Sequence, residues 1–200
     1  MNNNSIYGEH YEELEAVRNC LVKSINEIRE KLHKENGIDP IEHCLSRIKS
    51  DSSMREKCHR KGLPETTESA LEKIFDAIGI RIVCAFVSDV YAIRNSLADL
   101  PDCEIIEEKD YIRHAKPNGY RSYHMIVRYK NKTYAEIQLR TISMDTWAAL
   151  EHHLKYKQNI GGNVKLIEEE LKRCADELAS TDISMQTIRN MIFEERSDLT

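Results

Sequence analysis

Within the nine residues KPNGYRSYH, 116–124, the chain places two cations, a Pro-Asn-Gly turn, two tyrosines and a histidine. Donors, aromatic faces and positive charge at one spot suit a ligand that has both a ring and anionic oxygens. A few residues on, alternation along EIQLR puts Glu136, Gln138 and Arg140 on one strand face and Ile137 and Leu139 on the other. The same alternation separates Tyr120, Ser122 and His124 from Arg121, Tyr123, Met125 and Val127. The wet face of a two-layer protein also alternates. A carboxylate, a carboxamide, a guanidinium, an imidazole and a phenol together are more than solvation requires.

Two further clusters extend the chemistry. RIKSDSSMREKCHRK, 47–61, sets six Lys and Arg against two acids, with serines between them. Such a run reads either as a solvated helix face or as a cradle for polyphosphate oxygens, which Arg binds in bidentate fashion and Lys as a point charge. Asp76 stands just ahead of an apolar run and Arg81 within it, where an unpartnered guanidinium is expensive. Asp76 and Glu136, beside neighbouring strands, form a set that suits Mg²⁺. Basic residues for phosphate, carboxylates for Mg²⁺ and a tyrosine for stacking point to phosphoryl or pyrophosphoryl transfer between nucleotides. The sequence has neither GxxxxGK[ST] nor GxGxxG, so P-loop and Rossmann chemistry are unsupported.

Composition sets the limits. Two hundred residues, 40% apolar and 32% charged, suit one domain with extensions and a proper core. A net charge of −5 argues against broad binding to nucleic acid or anionic membrane. The six cysteines show no CxxC pair and no zinc-like spacing, and the start resembles neither a signal peptide nor a membrane span. A cytoplasmic protein with reduced thiols is the simplest expectation.

The elements that must position these groups follow from periodicity. Leu14, Val17, Leu21, Ile25, Ile28 and Leu32 predict an amphipathic helix over residues 11–34, ended near Gly37 and Pro40. A basic segment covers 41–62, and a short helix is expected from Thr67. GIRIVCAFV, 79–87, reads as a buried strand, and SDVYAIRNSLADL as a helix. A strand is expected in CEIIEEKDYI, a hairpin over 121–129 and 133–140, and a helix over 143–157 opened by Ser143. After the linker NIGGN, a last helix carries Val164, Ile167, Leu171, Cys174 and Leu178. The expectation is an α+β fold, a mixed sheet flanked by helices. Its boundaries are an N-terminal helix to 39, a core over 40–160 and a helical extension over 161–200. The terminal stripes could fold back on the core or pack against another subunit.

The blocks KDYIRHAKPNGYRSYH, AEIQLRT and MDTWAALEHHLKYK, in this order, resemble the signature blocks of RelA/SpoT-type (p)ppGpp synthetases. There is no His-Asp dipeptide, so the hydrolase domain of the long members is not expected. PIEHCLSRIK is similar to the entry to the domain in the RelQ-like single-domain small alarmone synthetases. The resemblance implies a nucleotidyltransferase-like fold and transfer of the β,γ-pyrophosphate of ATP to the 3′-hydroxyl of GDP or GTP, with release of AMP. By position, it implies that Arg47 and Arg81 sandwich the adenine and that Lys49, Ser53, Lys57, Arg60 and Lys61 hold the ATP phosphates. Asp76 would bind Mg²⁺, and Glu136 would share the metal or take the proton of the 3′-hydroxyl. Lys109 and Lys116 would lie along phosphates, and Tyr120 would stack on guanine. His124, Gln138, Arg140, Asp145 and His152 would complete the guanine pocket, with Lys155 and Tyr156 nearby. It also implies a homo-oligomer, a tetramer, with no membrane and no obligatory nucleic acid. His43, Cys44 and Leu45 stand where RelQ-like relatives carry an aromatic and a threonine for regulatory pppGpp, so little activation by that nucleotide is expected. The rival readings are a non-catalytic regulator that binds alarmone or guanine nucleotide, and a pyrophosphokinase toxin acting on adenine nucleotides or tRNA.

Overall fold

The chain runs α1 (Tyr11–Asn36), β1 (Ile41–Ile48), α2 (Asp51–Arg60), β2 (Ile78–Cys84), α3 (Val87–Ala98), β3 (Cys103–Asp110), β4 (Tyr123–Tyr129), β5 (Thr133–Thr141), α4 (Ile142–Tyr156) and α5 (Val164–Ser197). This computed structural model describes residues 5–156 and 163–197, with side chains for 5–154 and 163–193. The linker NIGGN falls largely outside the described residues, as do the side chains of Lys155 and Tyr156. The five strands form one sheet in the order β1-β2-β5-β4-β3, in which only the β2–β5 pair is parallel. This is the α+β architecture expected, with a long helix toward each terminus.

The period of two decides which face is which. Ile78, Ile80 and Ile82 of β2, Ala135, Ile137 and Leu139 of β5, and Met125 and Val127 of β4 are almost wholly buried on one face. That face packs against α1 and α3, which add Leu14, Leu21, Ile25, Val90, Ile93 and Leu97 to the core. The buried residues of α1 are the six of its predicted stripe, so this stripe is spent inside the chain. Burial of each such side chain contributes roughly 1.5–3 kcal/mol, which holds α1 on the sheet. Gly37 ends α1 with φ +71°, a left-handed cap whose N–H donates to the His33 carbonyl. Arg29 then pins the following turn through Asp39, and the Asp39 carboxylate accepts the Ile41 N–H at 3.0 Å.

Several expectations need correcting. The basic segment 41–62 is two elements: its first half is the edge strand β1, and only its second half is helical. The alternation in β1 is obscured because an edge strand with few core contacts tolerates polar residues on both faces. The helix expected from Thr67 settles largely into a π-helical turn at Ser69–Lys73. The stretch YRSYH joins β4 only at Tyr123, so Tyr120 to Ser122 belong to the loop leading into it. The hydroxyl that opens α4 is that of Thr141, which accepts the Met144 N–H at 3.2 Å, not that of Ser143. No helix among the described residues is long and apolar enough to cross a membrane, and all six cysteines are free thiols.

Candidate active site

The face of the sheet turned away from α1 and α3 carries the predicted residues. Strand register aligns them. Arg47 of β1 sits opposite Gly79 of β2, and Gly79 opposite Glu136 of β5. One pleat on, Leu45, Arg81, Gln138 and His124 form a row across four strands. Leu45, Arg47, Gly79, Arg81, Glu136 and Gln138 line a groove of about 190 Å³. Its floor is open because Gly79 has no side chain, and a Cβ there would meet nothing within 4 Å. Sequence reasoning missed Gly79, although a glycine inside a β-branched run is a signal of close approach to that backbone.

Arg81 is part of this wall, and burial pulls its guanidinium below the ordinary value. The charge of Arg140 acts in the same direction, and Asp145, 3.3 Å from its Nη1, opposes it. Its Nε is buried without a partner. Arg47 is exposed. Two guanidinium groups flanking an open floor make a slot for a flat ring.

Asp76 lies in the loop before β2, where its Oδ2 accepts from Lys57 at 2.5 Å and pairs with Lys49 at 3.0 Å. Its Oδ1 is buried and has no partner. The lysines come from different elements: Lys49 follows β1, and Lys57 lies on α2, whose first turn is capped by Ser50. Ser53 shares that first turn, its hydroxyl accepting from Ser50 at 2.8 Å. Ser53, Lys57, Arg60 and Lys61 are spaced at four, three and one, so they share one side of α2 and its end. Arg60 and Lys61 are exposed there. The second reading of the charge run therefore has its geometry: one cationic helix side beside a carboxylate.

On the other side of Glu136 the groups are wired to one another. KPNG is a turn, as expected, with the Gly119 N–H donating to the Lys116 carbonyl at 2.8 Å. The Lys116 ammonium lies 4.6 Å from the Tyr111 ring and 4.9 Å from the Tyr120 ring. The Tyr120 hydroxyl is 2.8 Å from His124 Nε2 and accepts from Arg140 Nη2, also at 2.8 Å. Arg140, only 5% exposed, also donates to Gln138 at 3.0 Å and to Asp145 at 2.9 Å. Gln138 donates to Glu136 Oε2 at 2.9 Å, and His124 Nδ1 is 3.6 Å from Oε1. Burial alone would raise the pKa of Glu136, but the hydrogen bond and charge of His124, the amide of Gln138 and the charge of Lys57 hold it at about 2.

Not every expected residue joins. Ser122, assigned with Tyr120 and His124, is fully buried and donates to the Leu139 carbonyl at 3.1 Å. The loop conformation ahead of β4 breaks the alternation there. Lys109 is opposite His124 in the sheet but pairs with Glu107 at 2.6 Å. His152 lies exposed farther along α4, its ring 6.4 Å from that of His153. His43 Nε2 is 3.9 Å from Asp145, and Leu45 is exposed on the groove wall.

Asp76 and Glu136 carry the metal reading by themselves, since no group of three His, Cys, Asp or Glu among the described residues could hold an ion. Mg²⁺ fits such a pair, because it typically takes one or two carboxylates and fills its shell with water and substrate phosphates. The unpartnered Oδ1 of Asp76 supports the fit, as a buried carboxylate oxygen is otherwise satisfied.

A cationic helix side, a slot flanked by two guanidinium groups and a carboxylate between them lie on one face of a mixed sheet. The model describing the region found in RelA/SpoT proteins matches residues 46–161, and the chain belongs to that family. The chain is 42% identical over 164 residues to the GTP pyrophosphokinase YwaC of Bacillus subtilis, covering 78% of each chain. A GTP pyrophosphokinase family protein from Streptococcus pneumoniae has the same fold, with a TM-score of 0.80, 34% identity and 94% of each chain covered. Small alarmone synthetase 1 of Bacillus subtilis, bound to its product pppGpp, superposes with a TM-score of 0.76 at 31% identity, covering 92% of this chain and 94% of that one.

Proposed function

We propose that the chain is a GTP/GDP pyrophosphokinase that makes ppGpp and pppGpp. The observation that carries this reading is the position of Glu136. It stands between the Arg47–Arg81 groove and the Tyr120–His124–Arg140 network, and the charge of Lys57, the partner of Asp76, reaches it. The 3′-oxygen of GDP or GTP attacks the β-phosphorus of ATP, and the hydroxyl proton passes to water. The bond from that phosphorus to the α–β bridging oxygen breaks, and AMP leaves with the electron pair.

Arg47 and Arg81 flank the adenine, and Lys49, Ser53, Lys57, Arg60 and Lys61 take the phosphates. Tyr120 offers its ring to guanine, with Lys116, His124, Gln138, Arg140 and Asp145 around it. Asp76 and Glu136 would hold Mg²⁺, which when bound would neutralise and polarise the transferred pyrophosphate. A carboxylate with a pKa near 2 is ionised at neutral pH and is a weak base, which favours charge and metal holding for Glu136 over proton abstraction.

The same reading includes assembly. The stripe of α1 is buried within the chain, but α5 leaves Ile183 67%, Met191 58%, Ile188 49% and Ile192 49% exposed. Apolar side chains of this size on one helix suit a second copy, and the working state is a homotetramer. Light scattering of the full chain should give several times its mass, and a monomer at micromolar concentration overturns this part.

Incubation with γ-labelled ATP, Mg²⁺ and GDP or GTP should yield labelled guanine nucleotide and AMP in equal amounts. Nucleotide binding without AMP formation would instead support a non-catalytic regulator.

A further inference from the structure

The family match ends at residue 161, and α5 begins at Val164, yet α5 presses against the turn that carries Tyr120. We infer that α5 is the back wall of the guanine-nucleotide subsite, with Ala175 and Asp176 as positioning residues for the 116–121 turn. The inference rests on the reading of Tyr120 as the guanine platform.

Three observations support it. First, Gly119 adopts φ +90°, a conformation that L side chains rarely take, and lies directly on the helix. A Cβ built there would come 2.6 Å from the Ala175 Cβ and 3.3 Å from the Lys172 Cα. Turn backbone and helix therefore meet with little more than the Ala175 methyl between them, and Tyr120 is the next residue. Second, Arg121 ties the turn at two points, donating through Nη1 to the Ile112 carbonyl at 3.2 Å and through Nη2 to Asp176 at 3.1 Å. Third, the seam continues into the network that holds the Tyr120 hydroxyl. Trp147 donates to the Leu171 carbonyl at 2.8 Å, and its ring stands edge-on to Tyr120 at 6.4 Å. Thr141, next to Arg140 and capping α4, donates to Asp182 at 2.5 Å in a buried contact.

The seam has no slack. The cavity between turn, α4 and α5 is about 10 Å³, room for one water at most. At its far end α5 is anchored to the start of α3, where Arg189 pairs with buried Asp89 at 2.7 Å. A helix held at Leu171, Asp182 and Arg189 and close-packed beside the turn transmits a displacement instead of absorbing it. Its seam runs along the turn and α4, so displacement of α5 at Ala175 is read by the guanine side first.

The test uses the full chain and measures KM for GDP, KM for ATP and melting temperature in parallel. Asp176 is half-exposed, so Asp176→Ala should leave the fold intact. Asp176→Ala is expected to raise KM for GDP a few-fold, and Ala175→Leu about tenfold or more, since a misplacement of about 1 Å can lower rate by two orders of magnitude. KM for ATP should stay unchanged, and Asp176→Glu should behave as wild type. Trp147 is the sole tryptophan, so its fluorescence should change on addition of GDP and respond less in Ala175→Leu. Should Ala175→Leu not fold, Asp176→Ala decides. Tyr120→Ala is run alongside. If it leaves KM for GDP unchanged, the guanine reading falls and the back wall with it. If it raises that KM while Ala175→Leu and Asp176→Ala do not, the back wall alone is overturned. An equal rise in KM for ATP also overturns it, because α5 would then be a general scaffold.

Discussion

The two halves of the site differ in how their polar groups are connected. On the proposed guanine side, Tyr120, His124, Gln138, Arg140 and Asp145 exchange hydrogen bonds in one connected network around Glu136, with Arg140 Nε the one buried atom among them left without a partner. On the ATP side, Asp76 Oδ1 and Arg81 Nε are buried without partners, Arg47 is exposed and Gly79 leaves the floor open. A connected network is rigid before any ligand arrives, whereas an open floor and an unpartnered carboxylate oxygen lack partners that a ligand and its cation can supply. In the proposed reading the guanine half is therefore pre-organised, and polyphosphate and metal would complete the ATP half.

The strongest way to break this picture is at the carboxylates. Asp76→Asn and Glu136→Gln should each lower turnover by about 10²-fold or more without unfolding the protein, because each removes charge where the transferred pyrophosphate would pass. Near-normal turnover in both variants would remove the centre of the site. Next in size is Gly79→Leu. A side chain there enters open space, so the protein should remain folded while KM for ATP rises about tenfold or more through a filled slot. Binding of GDP should hold, and steady-state kinetics with each substrate varied in turn reads the split.

Tyr120→Phe sharpens the comparison from the guanine side. Stacking alone would leave it neutral, but the hydroxyl accepts from Arg140 and meets His124. Loss of a typical hydrogen bond is worth about 0.5–1.5 kcal/mol, so GDP affinity should fall by roughly two- to tenfold. An affinity equal to wild type would show that the network does not hold the ring.

The smallest effect concerns acid. With a folded-state pKa of about 2, below the ordinary 4.5, ionised Glu136 contributes stability that is fully present above pH 4.5. This stability is lost as pH falls toward 2. Glu136→Gln lacks this contribution and should lose less stability than wild type across that window. Denaturant midpoints at several pH values measure the difference, and parallel losses in the two proteins would count against the depressed pKa.

Legibility in the sequence followed burial. At EIQL, where one strand face is buried, period two gave both the strand and its functional side, and at GIRIVCAFV the nearly continuous apolar run gave the strand. The stripe of α1 was readable for the same reason. β1 was not, since an edge strand with a wet face carries charge where a core strand cannot. Ser122 misled because the loop ahead of β4 does not keep strand alternation, and only the carbonyl of Leu139 explains its burial. The site residues on β2 and β5 were recognisable by type. Gly79, Thr141, Ala175 and Asp176 were not, because their part is to leave space, to cap a helix or to hold a turn across more than fifty residues of chain.

The central claim is that a cation held at Asp76 completes the ATP half while the guanine half stands ready. Calorimetry of AMPCPP and GDP binding, to wild type and Asp76→Asn, with and without Mg²⁺, tests it directly. In wild type, Mg²⁺ should tighten AMPCPP binding by about tenfold or more and in Asp76→Asn hardly at all, while GDP binds both proteins alike. An equal effect of Mg²⁺ on AMPCPP binding in the two proteins would contradict the account.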